Sequence, residues 1–240
     1  MAEAEAGAGS ALVGMLNVFV DPAGTVKRVQ AKLFWLWPLI TLSIIYALFG
    51  YLMLPYTLQL IDARMSQQFS QQNVAPDRIE RARQVAHTFA QFTFVVTPVS
   101  IIVLVVVMAW LVSATGSMVG LRAKFRDVFS LMAACSLIPA LQYAATYIVL
   151  RVKNEEIQFQ DQMTPPFGLD IFLQDVHGAL GAVLNFFSIF EIWYLVILVF
   201  GLSYLGKCSK GQAFAAMTPA WVLPLLFRIV ASMFGGASSS

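Results

Sequence analysis

Two charged side chains, Glu191 and Arg228, lie inside long apolar stretches of the sequence. A charge within the hydrocarbon of a membrane is costly unless it is paired or hydrated, so such residues often mark ion pathways, proton relays or structural pairs. Counted from the short loop that joins their stretches, both lie roughly 22 to 24 Å along a helix. We therefore predict a Glu191–Arg228 charge pair between adjacent antiparallel helices. Structural bracing and a transport relay both remain open as its purpose, as does an unpaired arrangement in which Arg228 reaches the outer surface.

The other residues that could carry catalysis lack the companions that catalysis needs. The sequence contains no HExxH, GxSxG or glycine-rich phosphate loop. His87 and His177 have no partner at metal-ligand spacing, and the serines have no base placed beside them by any pattern. Cys135 and Cys208 show neither disulfide nor metal spacing. We expect no enzyme activity, no metal and no cofactor.

Small residues recur at helical spacing in the second long apolar stretch. Gly116 and Gly120 form a GxxxG, and Ala109, Ser113 and Ser117 continue the same face. In membranes such faces allow helix backbones to approach closely. We predict that these five residues form a helix-packing face.

The overall composition is that of a membrane protein. Hydrophobic residues make up 59% of the 240 residues and charged residues 12%, with a mean hydropathy of +0.74. Soluble domains carry about 25% charged residues, so this chain has too few to cover a water-facing surface. The net charge of +2, spread over short basic clusters, argues against a nucleic-acid partner. We expect the lipid bilayer to cover most of the surface.

Five stretches are long and apolar enough to cross a membrane, which takes about 20 mostly apolar residues. They are residues 33–61, 88–121, 128–150, 178–206 and 212–234. The sequence therefore predicts an all-α, polytopic integral membrane protein with five transmembrane helices, forming a single domain over residues 1–240.

The distribution of Lys and Arg predicts the orientation in the membrane. With the N-terminus inside, the cytoplasmic segments contain eight basic residues, concentrated before the first span and in two tight loops at 122–127 and 207–210. The other side contains six, diluted in longer loops that are net acidic. The positive-inside rule thus favours a cytoplasmic N-terminus and an external C-terminus.

An amphipathic segment precedes the first span, at residues 11–32. Leu12, Met15, Leu16 and Phe19 share one helical face, and Pro22 suits the first position of a second helix. We expect this N-terminal segment to lie at the cytoplasmic membrane interface, where its basic residues meet anionic lipid.

An ordered set of motifs resembles the Yip family, the Ypt-interacting proteins. The set is Phe19-Val-Asp-Pro22, Leu36-Trp37-Pro38-Leu39, Ser136-Leu-Ile-Pro139 and Phe190-Glu-Ile-Trp193, followed by Gly201, Lys210 and Ala213. The resemblance covers about residues 14–234, and the first external loop is similar to that of bacterial members. Ser188 stands where an acidic residue is frequent in the family.

The resemblance implies a five-span helical protein with a cytoplasmic N-terminus and little catalysis. Eukaryotic members act in vesicle traffic and bind prenylated small GTPases through a long hydrophilic N-terminal region, whereas the short N-terminus here is similar to prokaryotic inner-membrane members. For these the family implies accessory roles, in some cases beside an ABC exporter. We therefore expect a non-enzymatic subunit that associates with other integral membrane proteins or with itself and organises membrane complexes or membrane traffic.

Two alternatives remain. One is a small-molecule or lipid transporter with a kinked-helix cavity near Glu191, Arg228, Pro219 and Pro224, since prolines free backbone carbonyls that can line substrate pathways. The other is an intramembrane hydrolase, which would need a nucleophile and base that the sequence does not present.

Overall fold

A computed structural model provides the structure of the chain. It describes residues 13–15, 17–19, 22–31, 33–70, 75–154, 156–158, 161–163, 167–172 and 178–235. Within these ranges all regular elements are helical. Residues 13–15 and 17–19 are also helical, whereas Asp21 and His177 lie outside the described residues.

Eight α-helices and two short 3-10 helices are described. The α-helices are α1 Pro22–Val29, α2 Leu36–Ser70, α3 Pro76–Met118, α4 Phe125–Cys135, α5 Leu137–Lys153, α6 Gly178–Phe186, α7 Ile189–Gly206 and α8 Lys210–Gly235. The 3-10 helices are Asp161–Met163 and Leu169–Phe172. Five helices in the described part of the chain are long and apolar enough to cross a membrane, counting α4 with α5 as one. The predicted five-span, all-α fold is confirmed.

Helices α2 and α3 are longer than the apolar stretches that predict them. Their 35 and 43 residues correspond to about 52 and 64 Å, against about 30 Å of hydrocarbon. The polar extensions contain good helix formers, and Pro76 occupies the first position of α3. Asp62 Oδ1 joins the extensions, lying 3.1 Å from Arg83 Nε and 2.9 Å from His87 Nε2. The helices therefore project beyond the bilayer as a hairpin.

The third and fourth predicted spans are interrupted. The helix of the third changes at Ser136, between α4 and α5, because Pro139 lacks an amide proton and its ring crowds the carbonyl of Cys135. The single helix predicted at 178–206 is instead two, α6 and α7, separated by Phe187 and Ser188. Only α7, with 18 residues or about 27 Å, is long enough to span.

The chain forms two compact units. The first comprises Met1–Thr41, Ile102–Pro139 and Pro166–Ser240, and in its described part α4 packs on α7, and α6 and α7 pack on α8. Helix α1 packs against α4 and α7, burying Val26 and Val29 while Lys27 stays exposed. Helix α1 thus places its apolar side on protein and Lys27 outward, whereas Leu12 and Leu16 of the predicted amphipathic segment lie outside the described residues.

The second unit comprises Leu42–Ile101 and Ala140–Pro165. Its core is formed by Met53, Leu60, Leu150 and Ile157, with Tyr56, Tyr143, Tyr147 and Met163 packed against them. Tyr46, Phe49 and Tyr56 of α2 contact Tyr143 and Tyr147 of α5 through ring pairs with centroids 5.4 to 6.5 Å apart. This aromatic contact fixes α2 against α5 within the unit.

Candidate functional site

The candidate site is built around the start of α7, where Ser188 ends the break after α6. Ser188 is buried, and its side-chain oxygen accepts a hydrogen bond from the backbone N–H of Glu191 at 3.1 Å. This is the N-cap geometry that satisfies one of the free amides in the first turn of a helix. Its own N–H donates to the Phe186 carbonyl at 2.8 Å. A serine side chain therefore sets where the spanning helix begins.

Glu191 lies in that first turn and faces α8. Its Oε1 accepts a hydrogen bond from Trp221 Nε1 at 3.0 Å. A carboxylate is also favoured at this end of the helix by the partial positive charge of the free amides. Because α7 begins at Ile189, Glu191 stands near the end of the span and not in the middle of a continuous helix from 178 to 206.

Aromatic rings enclose the hydrogen bond between the two helices. The rings of Phe186 and Phe187 each lie with centroids 5.4 Å from the Trp221 ring. The Arg228 guanidinium lies 5.3 Å from the centroid of the Phe186 ring, a cation–π distance. The site thus consists of one carboxylate, one guanidinium and three aromatic rings at the junction of α6, α7 and α8.

The structure brings Glu191 and Arg228 into one cluster without a direct ion pair among the described residues. Each contacts another group, Trp221 in the case of Glu191 and the Phe186 ring in the case of Arg228, while the Arg228 charge still attracts the carboxylate. The guanidinium is exposed at the surface of α8. The Glu191–Arg228 pair stays a prediction, and the observed partner is a tryptophan that sequence reasoning missed.

A signal for this site was present in the sequence. Ser188-Ile189-Phe190-Glu191 has the S-x-x-E spacing of a capping box, in which the serine binds the third amide and the glutamate reaches back. Here the serine half is formed, but Glu191 accepts from Trp221 instead. The capping box would have located the helix start. Trp221 lies 30 residues from Glu191 in the sequence, so its contact with Glu191 could be found only from the folded structure.

A family model for the Yip1 domain matches residues 16–232. The chain belongs to the Yip1 domain family. The match includes the residues of all elements from α1 to α7 and most of α8, so the predicted family resemblance is confirmed. No curated protein and no solved structure gives a significant match to the chain.

Several motif positions of this Yip1 domain contact one another. The Phe19 ring packs edge-on against Trp193 at 5.5 Å, joining the N-terminal segment to α7. Gly201 faces Leu131 of α4, whose Cδ2 atom would lie 2.8 Å from any added Cβ. Lys210 places its Nζ 4.1 Å from the centroid of the Phe200 ring.

The three proline positions of the motif set mark helix starts or breaks. Pro22 begins α1, Pro38 lies in the first turn of α2 and is buried, and Pro139 lies in the first turn of α5. An early turn is where the missing amide proton of proline costs least.

The small-residue face of α3 is divided in the structure. Ala109 and Gly116 are buried, and Ser113 is partly buried. Ser117 is exposed and donates to the Ala114 carbonyl, and Gly120 lies beyond the helix end with a positive φ of 88°. Gly120 therefore terminates α3, a conformation that glycine adopts without strain. Of the five residues of the predicted face, only Ala109, Ser113 and Gly116 are both helical and at least partly buried.

Helix α3 meets α8 next to that face. Thr115 Oγ1 donates to the Ala216 carbonyl, and Gln212 Nε2 donates to the Val119 carbonyl at 3.0 Å. These contacts tie the last turns of α3 to the first turns of α8 within the first unit. In the described part of the chain no group of three or more His, Cys, Asp or Glu residues could hold a metal ion.

Proposed function

We propose that this Yip1-domain protein is non-enzymatic and acts as an accessory or organising subunit for membrane-protein complexes or for membrane traffic. One candidate partner is an ABC exporter. A multi-pass membrane protein of the Yip family is what the family match and the five apolar helices establish. The observation that carries the finer proposal is an uncovered apolar face on α3.

That face, here called the valine face, consists of Val95, Val99, Val103, Val106 and Trp110. The spacing puts all five on one side of α3, and each is exposed. A different side of α3, with Val105, Ala109 and Val112, is buried. Valine loses little side-chain freedom on packing in a helix because its χ1 angle is already fixed. A row of valines ending in tryptophan suits a transmembrane helix of another protein as occupant.

The same proposal places the protein in the inner membrane with its N-terminus in the cytoplasm. Exposed basic residues support this orientation at the loop between α3 and α4 and at the loop between α7 and α8, with Arg122, Lys124, Lys207 and Lys210. Family members are generally not enzymes, which agrees with a role in organisation.

Site-specific photocrosslinking in native membranes tests the proposal. A photoreactive residue replaces Val99 or Val103 on the valine face, and the matched control replaces Ile148, an exposed apolar residue of α5. We expect both valine-face positions, but not Ile148, to crosslink to the same integral membrane protein. A strain without this chain should then assemble that partner complex less well.

Two outcomes would contradict this function. One is crosslinking to lipid alone at all three positions. The other is normal assembly and activity of every crosslinked partner in the deletion strain. In the first case the valine face would be an ordinary lipid-facing surface, and in the second its protein contacts would not contribute to assembly.

Transport is the second candidate, favoured by the break before α7 next to a partly buried carboxylate. The break at Phe187–Ser188 and the internal prolines Pro219 and Pro224 of α8 lie on the two helices that carry Glu191 and Arg228. Broken helices at such positions line substrate pathways in several transporter folds.

Neutral substitutions separate transport from bracing. If Glu191→Gln and Arg228→Gln each abolish the cellular function, while the double variant folds but stays inactive, transport gains support. If the double variant is fully active, the charges only brace the helices. Proteoliposomes containing the purified chain then measure directly whether any solute moves in a pH-dependent way.

A further inference from the structure

A pocket of about 380 Å³ lies in the second unit, between α2, the end of α5 and the segment after it. Its polar lining includes Tyr56 and Gln59 of α2, Tyr147 and Arg151 of α5, and Asn154 and Glu156 beyond the helix. The volume is within the range of small-molecule sites. Nothing in the Glu191 site or on the valine face involves this pocket.

The pocket walls are held in place by the core beneath them. Ile157, next to Glu156, is only 2% exposed, and its N–H donates to Gln59 Oε1 at 3.2 Å. Tyr56 and Tyr147 pack edge-on with centroids 6.5 Å apart. Asn154 adopts a positive φ of 49° and ends α5, its N–H donating to the Leu150 carbonyl at 3.0 Å. A ligand would therefore meet a largely preformed site.

Two opposite charges line the pocket without neutralising each other. Arg151 and Glu156 are both exposed, and among the described residues neither takes part in an ion pair. An arginine fork suits the oxygens of a phosphate, and a carboxylate suits an ammonium group. The arrangement offers one site for each end of a zwitterion.

The level of the pocket fits a membrane lipid. Gln59 and Arg151 stand where the apolar parts of α2 and α5 give way to polar residues, and Tyr56 and Tyr147 are residues typical of the membrane–water interface. The lipid phosphate lies at this level of the bilayer, just outside the hydrocarbon.

We propose that this pocket binds a zwitterionic phosphate–ammonium headgroup, with the phosphate at Arg151 and a primary ammonium at Glu156. The tyrosine hydroxyls and the Gln59 and Asn154 amides supply further polar groups for the phosphate and the glycerol oxygens. Phosphatidylethanolamine has this chemistry within a lipid, and glycerophosphoethanolamine has it as a soluble molecule.

Lipid titration of the purified full chain in mild detergent, followed by native mass spectrometry, tests the proposal. The probes are phosphatidylethanolamine, phosphatidylcholine and phosphatidylglycerol with identical acyl chains, and soluble glycerophosphoethanolamine. We expect phosphatidylethanolamine to bind about tenfold more tightly than the other two lipids, as one charge-assisted hydrogen bond allows. Competition by glycerophosphoethanolamine at equal strength would identify a soluble ligand, and its failure would identify the lipid.

Two variants test the phosphate contact and the ammonium contact separately. Arg151→Gln should weaken the binding of all three lipids about tenfold. Glu156→Gln should remove only the preference for the lipid with a primary ammonium. Lys153→Gln is the matched control, because Lys153 is an exposed cation in the same helical turn that does not line the pocket.

Both charged residues are exposed, so the variants should unfold thermally like the natural chain. Equal binding of the three lipids by the natural chain would overturn the proposal. An effect of Lys153→Gln on lipid binding as large as that of Arg151→Gln would also overturn it, because the effect of Arg151 on binding would then come from its positive charge at the surface and not from the pocket.

Discussion

Single side chains decide where the fourth span begins and what its carboxylate contacts. Ser188 caps α7, and Glu191, three residues later, accepts from Trp221 on the neighbouring span. Both interactions lie at the end of a short helix, where free amides and a carboxylate have few other partners. The start of the span therefore depends on two polar contacts rather than on hydropathy.

Removal of the Ser188 hydroxyl should destabilise the protein. We expect Ser188→Ala to lower the free energy of unfolding by about 1 kcal/mol, since one helix amide loses its acceptor, and Ser188→Asp to retain most of it. Ser117→Ala is the control, because the exposed Ser117 hydroxyl only donates to a carbonyl of its own helix. Thermal unfolding in detergent compares the three variants. Equal losses at both serines would contradict the capping role.

The hydrogen bond between Trp221 and Glu191 should be the stronger of the two couplings that involve Glu191. Trp221→Phe leaves a partly buried carboxylate without its donor, which costs about 1 to 3 kcal/mol, whereas Glu191→Gln retains an acceptor oxygen and should cost less. Double-mutant cycles measure the coupling of Glu191 with Trp221 and with Arg228. A larger coupling with Arg228 would instead support the direct charge pair.

At the scale of helices, hydropathy predicts that spans exist better than it predicts where they break. An apolar window of about 20 residues must be helical in lipid, because every backbone group needs an internal partner. The five spans could be predicted for this reason. Hydropathy alone could not predict the break at Phe187–Ser188, since a window average gives no weight to one capping serine among apolar residues. The S-x-x-E spacing of Ser188 and Glu191 is the local signal for it. Hydropathy also missed part of the polar extensions of α2 and α3, because these segments lie outside the apolar stretches, where the bilayer does not force the backbone to be helical.

The contact between α4 and α7 depends on a glycine. At Gly201 an added Cβ would meet Leu131 Cδ2 at 2.8 Å, and Leu131 is 1% exposed in a packed core. We expect Gly201→Ala to destabilise the protein by about 1 to 3 kcal/mol through overpacking. Gly211→Ala is the matched control, because its nearest atom is 3.9 Å away.

A second substitution shows whether that loss arises from Leu131. Gly201→Ala combined with Leu131→Ala should cost less than the sum of the single changes, because the cavity left by leucine accepts the new methyl group. Additive losses in thermal unfolding would show that Leu131 moves away freely and that Gly201 matters for another reason.

For the whole molecule, an odd number of spans predicts that the two ends of the chain lie on opposite sides of the membrane, and the Lys and Arg residues of the loops predict which side is which. The basic residues of the short loops predict a cytoplasmic N-terminus. Fold class and family could be predicted from the sequence because they depend on features spread over the chain. The pocket beside Arg151 could not, because its walls come from α2 and from a segment about 100 residues later.

The two natural cysteines provide a direct test of this orientation. Cys208 lies in the loop between α7 and α8 and is partly exposed, whereas Cys135 is buried in α4. With a cytoplasmic N-terminus that loop is cytoplasmic, and Gln68, exposed near the end of α2, is external. A membrane-impermeant maleimide should therefore label Gln68→Cys in intact spheroplasts and label Cys208 only after permeabilisation. Labelling of Cys208 in intact spheroplasts would reverse the topology.

The pH dependence of labelling identifies the residue that reacts. Burial raises the pKa of the Cys208 thiol above its ordinary value, and the thiolate is the reactive form. In permeabilised membranes the labelling rate should therefore rise with pH, with a midpoint above that of a free cysteine. Cys208→Ser should abolish this labelling, because Cys135 is fully buried and inaccessible. A signal that survives in Cys208→Ser would mean that the helix carrying Cys135 opens, and the sidedness would then be measured with a cysteine introduced in place of Ser209, which is exposed in the same loop.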